Sequence, residues 1–103
     1  ISRRQEWYVA FNETLNTLED ELGLYDSGYW SFYDRNGHLA SPMYHQLHIS
    51  LLKVLSELTG RESFLEVSER WEGYRRNKFF YTRAFLTKAL QKLRDPGDVV
   101  IVR

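Results

Sequence analysis

Between residues 25 and 48 the chain gathers side chains that can move protons and hold a sugar. The run Tyr25-Asp26-Ser27-Gly28-Tyr29-Trp30-Ser31-Phe32-Tyr33-Asp34 is followed by Met43-Tyr44-His45-Gln46-Leu47-His48. On a helix, Tyr44, His45 and His48 would project to roughly one side, because residues three and four apart are neighbours. With Pro42 opening that helix, Tyr44 lies in the first turn, where the positive end of the helix dipole favours an anionic neighbour. A phenol needs such help to accept a proton near neutral pH. The same three side chains would equally serve to line a packing seam. Flat aromatic rings beside hydrogen-bonding groups also suit a sugar, through contacts to its CH faces and hydroxyls. Alternation along an extended segment would turn Trp30 and Phe32 inward and Tyr29, Ser31 and Tyr33 to the other face.

Other chemistries are poorly served. Two histidines three apart could share a zinc ion with Asp26 or Asp34, but there is no HExxH pattern and no cysteine, so a metal site is not expected. Ser31, His48 and Asp34 can be drawn as a triad, yet no GxSxG elbow or glycine-rich oxyanion loop accompanies them. Neither GxGxxG nor GxxxxGK[ST] occurs, which leaves no nucleotide signature. No paired carboxylates follow from spacing, so glycoside hydrolysis is not indicated.

The elements that must position these groups are mostly helical. Residues 5–22 carry an apolar stripe of Trp7, Phe11, Leu15, Leu18 and Leu22, with Gly23 suited to a left-handed cap. Residues 29–33 favour a strand, Asp34-Arg35-Asn36-Gly37 a turn, and His38-Leu39-Ala40 a short return strand. Ser41-Pro42 reads as an N-cap and first helical residue. The helix that follows shows Met43, Leu47, Leu51, Val54, Leu55 and Leu58 as its stripe and ends at Gly60. A third helix over 62–74 turns Phe64, Val67, Ser68 and Trp71 inward. A fourth over 78–93 has Phe79, Leu86, Leu90 and Leu93 on one side. Asp95-Pro96-Gly97 breaks it. The expected architecture is mainly α: a four-helix, bundle-like domain over residues 1–95 with one short aromatic β-hairpin, and an apolar tail at 96–103.

With 103 residues and a formal net charge of zero, the chain is one small domain not built for bulk capture of nucleic acid. It has no cysteine, which excludes disulfides and thiolate chemistry. No apolar run is long enough for a membrane span. The neutral total hides a split: residues 1–60 carry four basic and eight acidic side chains, residues 61–103 ten basic and six acidic. From Arg75 to Arg94 seven basic residues occur without an acid. That run is either a solvated face or a surface for an anionic polymer. Met43 is the only methionine, so Ile1 is no initiator and the chain is expected to be a piece of a longer protein.

The segment Leu24-Tyr25-Asp26-Ser27-Gly28…Tyr33-Asp34, then Tyr44-His45…His48-Ile49 and Phe64…Glu69-Arg70-Trp71…Tyr74, resembles the C-terminal domain of the D-glucuronyl C5-epimerases. The resemblance covers roughly residues 5–75, and more weakly runs to 94. In those enzymes, which turn glucuronate into iduronate in heparan-type polysaccharides, this domain is a partial α/α toroid following β-rich regions. The resemblance implies Tyr33 and Tyr44 as the acid and base at C5, with Tyr25, Tyr29, Arg35, His45 and His48 contacting or orienting the substrate. A further tyrosine of the family lies upstream and has no counterpart here. The loop is shorter than in the animal enzymes, and Asn36 stands where they have an arginine. No cofactor is implied. The implied partners are a uronate-containing polysaccharide, an upstream domain of the same protein and, in some form, a homodimer. A bacterial protein and a secretory-pathway protein are both compatible. The other reading is a non-catalytic helical module that binds an acidic glycan or mediates dimerisation. The two differ in where the tyrosine hydroxyls point: into an open cleft, or into the core.

Overall fold

A computed structural model describes residues 2–94; the tail expected at 96–103 lies outside them. Four helices follow one another: α1 (Arg3–Glu21), α2 (Pro42–Thr59), α3 (Glu62–Arg76) and α4 (Lys78–Arg94). A 3-10 turn, Leu22–Tyr25, prolongs α1. Local chemistry explains the boundaries. Ser2 and Gln5 form a reciprocal capping box at the start of α1. Ser41 Oγ accepts the Tyr44 N–H, Pro42 occupies the first turn, and Gly60 closes α2 in the left-handed conformation at φ 72°. Asn77 Oδ1 accepts the N–H groups of Phe79 and Phe80 and so starts α4. The expected left-handed cap at Gly23 does not form. The helical path continues instead through Leu22, which is buried, to the Asp26 N–H that donates to the Gly23 carbonyl.

α2 and α3 form the principal helix pair, joined across Gly60-Arg61. Their shared core contains Leu15, Leu22, Ile49, Leu52, Phe64 and Trp71. A second cluster, Trp30, Leu39, Ala40 and Ala84, joins the central loop to α4. The assembly is elongated, 52 × 29 × 19 Å with a radius of gyration of 15.7 Å, against about 13 Å for a compact domain of this length.

The central loop is less regular than a hairpin. Among the described residues it holds two isolated antiparallel bridges, Asp26↔Ser31 and Phe32↔Leu39, and no strand. Ser27 Oγ accepts the Trp30 N–H at 3.0 Å and donates to its carbonyl at 2.7 Å, closing a tight turn. That turn breaks the pleat, so Trp30 and Ser31 are both fully buried and the expected alternation fails at Ser31.

Two of the expected stripes face the wrong way. On α2 the buried positions are His45, Ile49 and Leu52, while Met43, Leu47, Leu51, Val54 and Leu58 are exposed. On α4 the buried positions are Ala84 and Lys88, and Phe79, Leu86, Leu90 and Leu93 are exposed. Both helices carry apolar residues on more than one face, and the face used is chosen by Trp30, Trp71 and Phe64 rather than by the helix itself. On α1 only the C-terminal part of the stripe, Leu15 and Leu22, is buried; Trp7 is 71% exposed. α3 buries Phe64, Ser68 and Trp71, as its periodicity predicts.

Candidate active site

The two tyrosines expected to carry proton transfer meet. Tyr33, at the end of the aromatic segment, and Tyr44, in the first turn of α2, pack edge to face with ring centroids 5.3 Å apart. Both are half-buried against the Trp30 cluster. No hydrogen bond of either hydroxyl is seen among the described residues, and both residues are partly exposed. With the edge of one ring against the face of the other, no pyranose fits between them. Lys88, buried on α4, holds its ammonium 5.9 Å from the Tyr33 ring centroid.

The loop that carries Tyr33 is braced by its own polar groups. Asp34 accepts the N–H groups of Asn36 and His38 at 2.9 and 3.2 Å and pairs with the His38 ring at 2.8 Å. Burial alone would raise the Asp34 carboxyl, but these bonds outweigh it and hold it below its usual value. Gln91 pins the loop to α4 by donating to the Gly37 carbonyl and accepting the Leu39 N–H. Asp26 plays the matching role in the first YD. It accepts the Gly28 N–H at 2.8 Å, accepts the Tyr74 hydroxyl at 3.0 and 3.2 Å, and pairs with Arg70. Burial, together with this carboxylate, pushes the Tyr74 phenol up to about 12. Each aspartate of the repeated YD thus shapes backbone, and it is the tyrosine beside it that is left for other work.

The histidines form an internal chain. His45 is fully buried and stacked on Trp30 at 3.9 Å. Its Nε2–H donates to the Trp71 carbonyl at 2.9 Å, because that oxygen can only accept. Burial pushes His45 down to about 4, so the ring is neutral and Nδ1 is an acceptor. Ser31 Oγ–H donates to this nitrogen at 2.8 Å and in turn accepts from His48 Nδ1–H at 3.0 Å. Burial lowers His48 as well. With both ring nitrogens engaged, His45 has no surface left for a sugar; it orients α2 and the loop rather than touching substrate. Ser31, drawn from the sequence only as an improbable nucleophile, is the fully buried link between the two histidines.

The remaining predicted residues separate. Tyr25 and His48 lie on the first core, lining an apolar cavity of about 240 Å³ with Leu18, Leu22, Leu51, Leu52, Leu55 and Trp71. Tyr29 lies on the second cluster, beneath the Arg83 guanidinium at 3.9 Å. Arg35 is exposed and approaches Glu21 at 3.8 Å. Sequence reading missed Trp71, whose carbonyl anchors His45, and it missed the α4 residues Arg83, Lys88 and Gln91. Asp-x-Gly was the one available signal for the Asp26 turn. Nothing in the α4 sequence marks which face meets the loop. Among the described residues no three His, Asp or Glu side chains come together as a metal site, and no helix is long and apolar enough to cross a membrane.

A helical domain in which a half-buried tyrosine of a braced aromatic loop meets another at the start of α2 is the frame in which the sequence comparisons fall. The family described as D-glucuronyl C5-epimerase C-terminus matches residues 2–73, from α1 through most of α3. The chain belongs to that family. It is also similar to an uncharacterised protein of Methanocaldococcus jannaschii, 34% identical over 61 residues, which is 59% of this chain and 20% of that protein. The chain thus spans about a fifth of the length of this curated relative. No solved structure matches it.

Proposed function

We propose that this chain is the helical, site-contributing part of a uronate C5-epimerase, which inverts D-glucuronate to L-iduronate within a polysaccharide. The observation that carries the reading is the meeting of Tyr33 and Tyr44, both partly exposed. The chemistry needs a group to take the C5 proton and a group to return one from the opposite face. It also needs positive charge for the enolate-like intermediate beside the uronate carboxylate. The Tyr33–Tyr44 pair serves proton transfer from one side of the sugar, and the group that acts from the opposite face comes from the rest of the larger protein. Tyr29 carries the Arg83 guanidinium on its ring, while Tyr25 and His48 act from the neighbouring core to hold α1 and α2 in place. The exposed apolar faces of α1 and α2 are covered by the rest of a larger protein, where the four helices complete a partial toroid and the upstream domain meets the polysaccharide.

The test is solvent deuterium incorporation at C5 of a glucuronate-containing polysaccharide, read by NMR in D2O with the full-length protein. Exchange that disappears in Tyr44→Phe and Tyr33→Phe supports the reading. Absence of exchange on several uronate polymers would overturn it in favour of a non-catalytic glycan-binding module, the reading consistent with the histidine chain being wholly internal.

A further inference from the structure

Among the described residues, the arginines held by a contact are, with one exception, paired with a carboxylate. Arg61 pairs with Glu19 at 2.8 Å, Arg70 with Asp26 at 3.3 Å, and Arg75 and Arg76 share Glu72 at 2.8 and 3.6 Å. Arg35 approaches Glu21. The exception is Arg83. Its guanidinium lies 3.9 Å over the Tyr29 ring, and no carboxylate faces it among the described residues. Tyr29 is itself fixed edge-on by Phe80 at 6.4 Å.

A guanidinium held over a ring by cation–π attraction spends no N–H donor on that contact, and the contact restrains the side chain, so less freedom is lost when an anion binds. A carboxylate is the anion whose two oxygens match that fork. Arg83 also borders an open, mostly apolar groove of about 620 Å³ along α4, lined by Phe79, Leu86 and Leu90 with Lys78, Thr82 and Thr87 among them. Its neighbour Ala84 is buried in the same cluster that supports Tyr33 and Tyr44. Of the seven basic residues from Arg75 to Arg94, the first two are tied to Glu72 and Lys88 is buried, so the run is not a uniform basic face.

We propose that Arg83, pre-set on Tyr29, receives the uronate carboxylate and selects uronic-acid residues over neutral hexoses. The proposal deepens the epimerase reading and rests on it for the identity of the sugar. It assigns the selectivity to α4, which lies beyond the segment that matches the family.

The test compares binding of heparosan oligosaccharides and their carboxyl-reduced forms to the full-length protein, alongside C5 deuterium exchange. The wild type is expected to prefer the acidic form. Arg83→Gln should lose roughly tenfold or more of the acidic affinity and most of the preference, the scale of a hydrogen bond to a charged group. Arg83→Lys should keep only part of it, and Tyr29→Ala, which removes the ring beneath the guanidinium, should lose part of the preference as well. Arg83 is exposed, so its two variants should melt with the wild type. Exchange that persists while Arg83→Gln keeps wild-type preference would overturn this proposal and leave the epimerase reading standing. Preference lost in Arg83→Gln without exchange in any protein would uphold the carboxylate site and overturn the epimerase reading. No preference in the wild type would overturn the proposal outright.

Discussion

Leu15, Leu22, Ile49, Leu52, Phe64 and Trp71 close on one another with mostly aliphatic neighbours, whereas Trp30, Leu39, Ala40 and Ala84 are rimmed by Tyr29, Phe32, Tyr33, Tyr44 and Tyr74. The first cluster ends in an apolar cavity, and the second ends in phenols, two of which, both partly exposed, meet. His45 joins them, stacked on Trp30 of one and bonded to the Trp71 carbonyl of the other. The difference separates scaffold from chemistry. A residue buried on all sides sets geometry, and a residue half-buried on a rigid platform keeps one polar atom free to act.

If that division is right, the two clusters respond to substitution in opposite ways. Tyr33→Phe or Tyr44→Phe should cut C5 exchange in the full-length protein by roughly 10²–10⁴-fold, the scale of a lost general acid or base. Neither should move the melting temperature much, since each removes only one oxygen from a partly exposed residue. Phe64→Ala should do the reverse in denaturant unfolding, costing about 3–5 kcal/mol of stability through lost burial and a cavity. A tyrosine variant that unfolded the chain while sparing exchange would merge the two clusters into one structural core.

The histidine bridge should make stability depend on acid. The folded state holds His45 at about 4 against an ordinary 6.5, so between those values only the unfolded chain takes up the proton. Stability is therefore complete above pH 6.5 and falls as pH drops towards 4, by about 3 kcal/mol for this one group at 1.36 kcal/mol per unit. His48, lowered by burial as well, adds to the same slope. Denaturant midpoints measured from pH 7.5 to 4 should show it, and His45→Gln should flatten it. A midpoint unchanged over that range would mean that the bridge is not closed in solution.

A smaller effect is expected where the two clusters share Tyr74. Its hydroxyl donates to Asp26, which keeps the Gly28 N–H and Arg70 when the oxygen is removed. Tyr74→Phe should thus cost about 1.5 kcal/mol, the low end for a hydrogen bond to a charged group. In ultraviolet titration one phenol should ionise near 12 and be missing from the variant. Because the folded state holds that proton more tightly, the stabilisation is present at pH 10 and is lost as pH rises through 12.

Helix positions and the caps of α2 were legible in the sequence, because spacing, Ser41-Pro42 and Gly60 act locally, whereas Tyr33 and Tyr44 were brought together only by the family resemblance. The inward residues of α3 were legible too, since its other face is charged. What could not be read was the partner of each helix. His45 occupies the buried face of α2 because Trp30 and the Trp71 carbonyl are there to receive it, and both lie far away along the chain. Lys88 and Arg83 were invisible for the same reason: a basic run looks uniform until the acids and rings that meet it are known.

The weakest expected response tests that lesson on α2. Helical periodicity places Leu58 in the core, whereas it is 74% exposed; Ile49, on the opposite stripe, is fully buried. Leu58→Gln in the 103-residue chain should change stability by no more than about 0.5 kcal/mol, as for a surface site. Ile49→Ala should cost about 2–5 kcal/mol. Equal, large losses would mean that α2 is turned so that its aliphatic stripe packs inward. The Ser31–His45–His48 chain could not then exist, because His45 and Leu58 lie on different faces of the helix. The small change at Leu58 therefore carries as much information as the large one at Ile49, since only their ratio fixes which face of α2 carries the bridge between scaffold and site.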